Sequence, residues 1–202
     1  MNIGVLGGTF DPIHLGHLIV AGGTKAQLNL DEVLFVPAGQ PWLKVNNYIS
    51  TAEHRIQMVR LAIADKPYFK LSTMEIKRPG PTYTVDTIAE LRDQLDVTDK
   101  LFFILGWDNL VQLPQWREPA RLIQVCHLVA VPRVGYPTPD LDSLEDDYIP
   151  GLSQNTTLVE TPRIDISASE IRNRVAQGLS IHYLVPEPVE KYIKQHKLYV
   201  SP

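Results

Sequence analysis

Residues 4–18 read GVLGGTFDPIHLGHL. The stretch starts as an apolar strand and is due to continue as a helix. Between the two it passes through Gly7, Gly8, Thr9, an Asp-Pro pair and two histidines. A glycine-rich turn between a first strand and its helix presents backbone amides and the positive end of the helix dipole to a ligand, and anions bind there. Neither common phosphate signature accompanies this turn: the chain has no G-x-G-x-x-G and no G-x-x-x-x-G-K-[ST]. Instead Pro12 restricts the backbone before the helix, Gly16 permits close approach of a bulky ligand, and His17 falls in the first helical turn. An imidazole placed there can donate to a phosphoryl oxygen whose charge rises in a transition state. Taken alone, His14 and His17 also read as structural histidines, or with Asp11 as a D-x-x-H-x-x-H metal set. No H-E-x-x-H or comparable signature supports the metal reading, and no residue is assigned to a metal.

Outward from this turn, short β-branched runs alternate with helical patterns. Residues 2–8, 32–39, 69–76, 100–106, 126–133 and 156–162 read as strands. Residues 18–28, about 85–95, 167–177 and 189–195 read as helices, as does the run after Ser50, where Ser50 and Glu53 have capping-box spacing and Ile56, Val59 and Ile63 repeat at helical intervals. The strands are continuously apolar rather than alternating, which implies a parallel sheet covered on both faces. The expected fold is therefore a doubly wound, Rossmann-like α/β domain spanning 1–202, with ligands at the carboxyl ends of the strands. Residues 134–155, rich in Pro, Asp and Glu, read as a solvated surface loop inserted in it.

The 202 residues, 44% apolar and 21% charged, suit one globular domain. A net charge of −4 with no basic stripe excludes a nucleic-acid surface, so any phosphate site must be local. The single cysteine, Cys126, excludes an internal disulfide or a thiolate cluster and reads as a small core residue. No signal-like leader and no membrane-length apolar run is visible, so a cytoplasmic protein without membrane or nucleic-acid partners is expected; self-association stays open.

A second motif complements the first. In RIDISASEIRNRV (163–175), Ser167 and Glu170 again have capping-box spacing, so a helix begins at Ser167 with free amides around Ala168 and Ser169. Helical side chains lean toward the N-terminus, so Arg172 can reach back toward an anion held there. Two helix starts, an arginine and two histidines could share one polyphosphate.

GGTFDPIHLGH together with ISASEIR resembles the nucleotidyltransferase superfamily, marked by an H-x-G-H loop and a late I-S-x-x-x-[IV]-R helix start. Four further stretches look like the bacterial nicotinate-nucleotide adenylyltransferases: VPAGQPWLK, KRPGPTYTVDT, FFILGWDNLVQLPQW and VPRVG. The resemblance runs from residue 3 to about 199. It implies transfer of the adenylyl group of ATP, with Mg²⁺ on its phosphates, to nicotinate mononucleotide, releasing pyrophosphate. The alternatives are a sister enzyme with another phosphate acceptor and a non-catalytic nucleotide-binding regulator. By resemblance the catalytic residues are His14, His17 and Arg172. The ATP site adds Gly7, Gly8, Thr9, Phe10, Gly106, Asp108, Ile166, Ser167 and Ser169. Lys44, Thr84, Trp116 and Arg133 would hold the acceptor, Thr84 and nearby amides meeting its carboxylate with no competing carboxylate opposite. Three positions depart from the family pattern: Leu43 stands where an imidazole is usual, Trp107 is bulkier than the usual residue, and Ala168 replaces a hydroxyl.

Overall fold

A computed structural model describes residues 1–41, 49–162 and 164–200. Its centre is β1 (Asn2–Gly8), paired in parallel with β2 (Glu32–Pro37) on one side and β6 (Lys100–Gly106) on the other. Beyond them lie β4 (Phe69–Leu71), β7 (His127–Val131) and β8 (Thr156–Leu158), giving the order β4-β2-β1-β6-β7-β8 with every pair parallel. A small parallel ribbon joins β3 (Gln40–Pro41) to β5 (Pro81–Thr82). The chain moves outward from β1 through β2 to β4, then returns to build the other half from β6. Their boundary is the point where strand order reverses, and a crevice opens there at the strands' carboxyl ends.

Two apolar clusters sandwich the sheet, which explains why its strands do not alternate in polarity. Leu6, Phe35, Ile104 and Val129 face α1 (Leu15–Gln27), α2 (Ala52–Ile63), α8 (Ala168–Ala176) and α9 (Glu187–Gln195). Val5, Phe103, Leu105 and Leu128 face α4 (Thr84–Gln94), α5 (Trp107–Val111) and α6 (Pro119–Val125). Gly4 is required at the middle of β1, because a Cβ there would stand 2.8 Å from Leu30 and 3.2 Å from Val33. Burying both faces of a strand keeps polar backbone and water apart, so the ladder bonds are the amides' natural partners.

Several boundaries differ from expectation. The third strand ends at Leu71, and Met74–Lys77 forms the short helix α3 instead of continuing it. The first helix begins at Leu15, earlier than expected, with His14 as its N-cap. The Ser50–Glu53 capping box does not form: Thr51 caps α2 without a side-chain bond, while the buried Ser50 gives its amide to Asp11. Residues 134–155 are not simply a solvated loop either. They contain α7 (Leu141–Asp147), capped by Asp140 accepting from the Ser143 amide, followed by Ile149 and Leu152, both fully buried against the second cluster. Their flanking acidic residues masked two anchors too few to show a period. Among the described residues, no helix is long and apolar enough to cross a membrane.

Leu152→Ala is expected to destabilise the protein by about 2–5 kcal/mol in denaturant unfolding, the cost of emptying a packed site. A loop residue would change stability by less than about 0.5 kcal/mol.

Candidate active site

The crevice is a cleft of about 500 Å³ lined from the ends of β1 and β6, the β1–α1 loop, the starts of α4 and α5, and the start of α8. Gly7, Gly8, Thr9, His14, His17, Gly106, Asp108, Ile166, Ser167 and Ser169 all line it, as do Thr84, Trp116 and Arg133. Residues spread over most of the sequence thus meet at one place, because every crossover returns the chain to the same edge of a parallel sheet. Lys44 and Leu43 lie outside the described residues.

The two histidines form a stacked pair, with ring centroids 3.7 Å apart and planes 23° from parallel. The backbone amide of His14 donates to Nδ1 of His17 at 3.2 Å. A ring whose Nδ1 accepts carries its proton on Nε2 when neutral, so His17 turns a donor away from its own backbone. The edge of Phe10 supports that ring at 5.0 Å. Phe10 itself is 2% exposed, sits in the core and does not line the cleft, so the structure gives it a supporting place rather than the ligand contact implied by resemblance. His14 is buried, and desolvation, aided by the charge of Arg133, pushes its pKa down to about 4. Its Nδ1 has no hydrogen-bond partner among the described residues.

Across the cleft, Ser167 caps α8, its Oγ accepting from the Glu170 amide at 3.1 Å. That cap is the one expected from S-x-x-E. It leaves the first-turn amides of Ala168 and Ser169 at the cleft wall, so the missing hydroxyl at Ala168 removes no backbone donor. Arg172 does not stand open in the cleft: Nη1 donates to the Asp11 carbonyl at 2.7 Å and Nη2 to Ser169 Oγ at 3.3 Å. Two of its five N–H donors therefore bind the two phosphate-loop candidates together.

Beneath the loop lies a polar junction that sequence reasoning missed. Asp11, 2% exposed, accepts from the Ser50 amide at 3.0 Å and the Tyr199 hydroxyl at 2.6 Å. Arg55, 3% exposed, donates to the carbonyls of Thr9 at 2.9 Å and Ser50 at 3.2 Å. Burial pulls its guanidinium below the ordinary value, and Asp11 leads the groups opposing that shift. One signal was legible: Arg55 occupies the same stripe of α2 as Met58, Val59, Ala62 and Ile63, where an apolar residue belongs.

On the other wall, a side chain at Gly106 would meet the Asp108 carboxylate, which would have to turn aside. That carboxylate lies over the strand end, facing the cleft. The bulk of Trp107 is turned into the second cluster and does not narrow the cleft. Trp116 does line it, its ring set edge-on to Phe103 at 6.2 Å. Two charges near Thr84 were not foreseen. Arg117 lies over the Tyr83 ring at 4.6 Å, and Glu75 forms part of the wall. The absence of a carboxylate on this side was therefore a wrong expectation. Glu75 is nonetheless engaged, accepting from Thr87 Oγ1 at 2.8 Å and the Gly39 amide at 3.4 Å.

Known proteins resemble this chain in sequence and fold. The cytidylyltransferase-like family model matches residues 5–174. A probable nicotinate-nucleotide adenylyltransferase of Dehalococcoides mccartyi (strain CBDB1) is 52% identical over 199 residues, covering 98% of this chain and 97% of its own length. Its counterpart in Roseiflexus sp. (strain RS-1) is 47% identical over 197 residues, with 98% and 97% covered. Among solved structures, nicotinic acid mononucleotide adenylyltransferase of Plasmodium falciparum, complexed with NaAD, superposes with a TM-score of 0.80 at 21% identity, covering 98% and 97% of the two chains.

The depressed pKa of His14 has a consequence for stability. Above the unfolded value of 6.5 both states are neutral there. As pH falls from 6.5 toward 4 the unfolded chain takes up a proton that the native site refuses, so stability drops. Denaturant unfolding of the ligand-free protein between pH 7 and 4 should show this loss, up to about 1.4 kcal/mol per pH unit from this group. His14→Gln should flatten that part of the slope.

Proposed function

This chain belongs to the nicotinate-nucleotide adenylyltransferase family, within the cytidylyltransferase-like proteins, and on that premise we propose that it transfers the adenylyl group of ATP to nicotinate mononucleotide. The observation that carries the reading is the bond from Arg172 to the Asp11 carbonyl, which fastens the start of α8 to the histidine loop around one cleft. Two helix starts, an arginine and a stacked histidine pair at one cleft fit a triphosphate.

The 5′-phosphate of the acceptor attacks the α-phosphorus of ATP, a new P–O bond forms, and the bond to the bridging oxygen breaks to release pyrophosphate. The nucleophile is already ionised, so positioning and charge neutralisation do the chemistry without a general base. His17 Nε2–H donates to an α-phosphoryl oxygen as charge grows on it. The amides of Ala168 and Ser169, with Arg172, receive the departing β- and γ-phosphates. ATP enters as its Mg²⁺ complex. The ion carried on the ATP phosphates would neutralise part of their charge. Asp108 accepts from ribose hydroxyls, Trp116 stacks on the pyridine ring, and Thr84, at the first turn of α4, faces the nicotinate carboxylate. Glu75 takes the Thr87 hydroxyl and the Gly39 amide, so the donors for that carboxylate are those of Thr84 at the start of α4.

Pyrophosphate release from ATP with nicotinate mononucleotide tests the assignment directly; no release with this acceptor overturns it. His17→Ala should fold normally and lose at least about 100-fold in kcat. Arg172→Ala should raise the KM for ATP as well as lower kcat; an unchanged ATP dependence would leave that arginine a structural role. For the acceptor, kcat/KM should favour nicotinate over nicotinamide mononucleotide by at least about 10-fold, since charge-assisted bonds are roughly twice as strong as neutral ones. Trp116→Ala should harm both acceptors alike, because stacking does not sense the charge.

A further inference from the structure

The segment after α9 returns to the site from the far end of the sequence. Leu198 N donates to Ile193 O at 3.0 Å, closing the helix, and the chain then places Tyr199 beside Asp11. Both partners sit next to backbone that side chains rarely adopt: φ is 63° at Tyr199 and 52° at Phe10, immediately before Asp11. Left-handed backbone at bulky residues persists only where surrounding contacts over-determine it, and it gathers where a site must be held in shape. Here those contacts converge on one carboxylate, which joins Tyr199 and Ser50 through its two oxygens, while the carbonyl of the same residue holds Arg172.

We infer that Tyr199 is a positioning residue for the ATP half of the reaction, its hydroxyl setting, through Asp11, where the histidine loop and Arg172 stand. This rests on reading the cleft as an ATP site. Asp11 and Arg172 serve the loop and the start of α8, whereas Thr84 and Trp116 belong to α4 and the turn after Leu113–Gln115, across the cleft. The effect of losing the hydroxyl should therefore fall on ATP and not on the acceptor. Burial and the charge of Asp11 both raise the pKa of Tyr199, so its hydroxyl remains a donor throughout the working range. The ring is separately held by packing against the first apolar cluster, so Tyr199→Phe removes the hydroxyl, with its contacts to Asp11 and the Met58 sulfur, while keeping that packing.

The test is equilibrium binding of MgATP without acceptor, together with steady-state kinetics in both substrates. For Tyr199→Phe the MgATP Kd and the KM for ATP should rise about 10-fold, with the acceptor KM within about two-fold, the scale of one lost bond to a charged group. Asp11→Asn should show a similar loss, and the double variant little more. Should Asp11→Asn not fold, Tyr199→Leu replaces it: a hydroxyl role makes Leu and Phe equal in MgATP affinity, whereas a packing role makes Leu worse. Unchanged MgATP binding in Tyr199→Phe, equal rises in both KM values, or losses that multiply in the double variant would each overturn the inference. A wild type that binds MgATP but ignores nicotinate mononucleotide would fail the acceptor assignment alone, and the binding comparison would still decide the role of Tyr199.

Discussion

A buried carboxylate holds this structure's β1–α1 histidine loop in place. Asp11 is 2% exposed, and a charge in that position is tolerable only when its oxygens are bonded and a cation lies near. Both oxygens are bonded, to Ser50 and Tyr199, and the carbonyl takes Arg172. Arg55 secures the loop two residues earlier, at the Thr9 carbonyl. The β1–α1 turn is thereby fastened to α2, to α8 and to the segment after α9. A glycine-rich loop left to itself would be mobile; this one is pre-shaped, so a polyphosphate meets donors already in position.

The sheet supplies the complementary constraint. Because β1 and β6 are adjacent and parallel while their crossovers leave in opposite directions, the loops after them diverge and open the cleft. The same divergence separates its two halves. Histidines and the start of α8 gather on one side, and Thr84, Trp116 and Glu75 on the other.

Electrostatics here are local. The chain carries a net charge of −4, so long-range attraction does not draw anionic substrates in. On the proposed function, attraction comes from oriented amides, a stacked imidazole pair and guanidinium groups at the cleft. Arg133 at the rim contributes twice, lining the cleft and helping to keep His14 unprotonated before a ligand arrives.

Most strands and helices were legible because periodicity and turn chemistry act over a few residues: β1 and β6 have the expected limits, and the Ser167 cap forms as its spacing requires. Capping signals failed where tertiary demand was stronger, as when the Ser50 amide was taken by Asp11. The two tryptophans show the same limit. In the quoted motif Trp116 is a site candidate and Trp107 a bulky departure that could shape the pocket, but the direction of α5 turns Trp107 into the core and leaves Trp116 at the cleft. The sequence alone determined the parallel α/β architecture, and it singled out the glycine-histidine turn and the start of α8, since each has a local pattern. The clasp around Asp11 belongs to tertiary structure alone. Its bonds to Arg172 and Tyr199 span 161 and 188 positions, and no local pattern links residues that meet only once the sheet has folded.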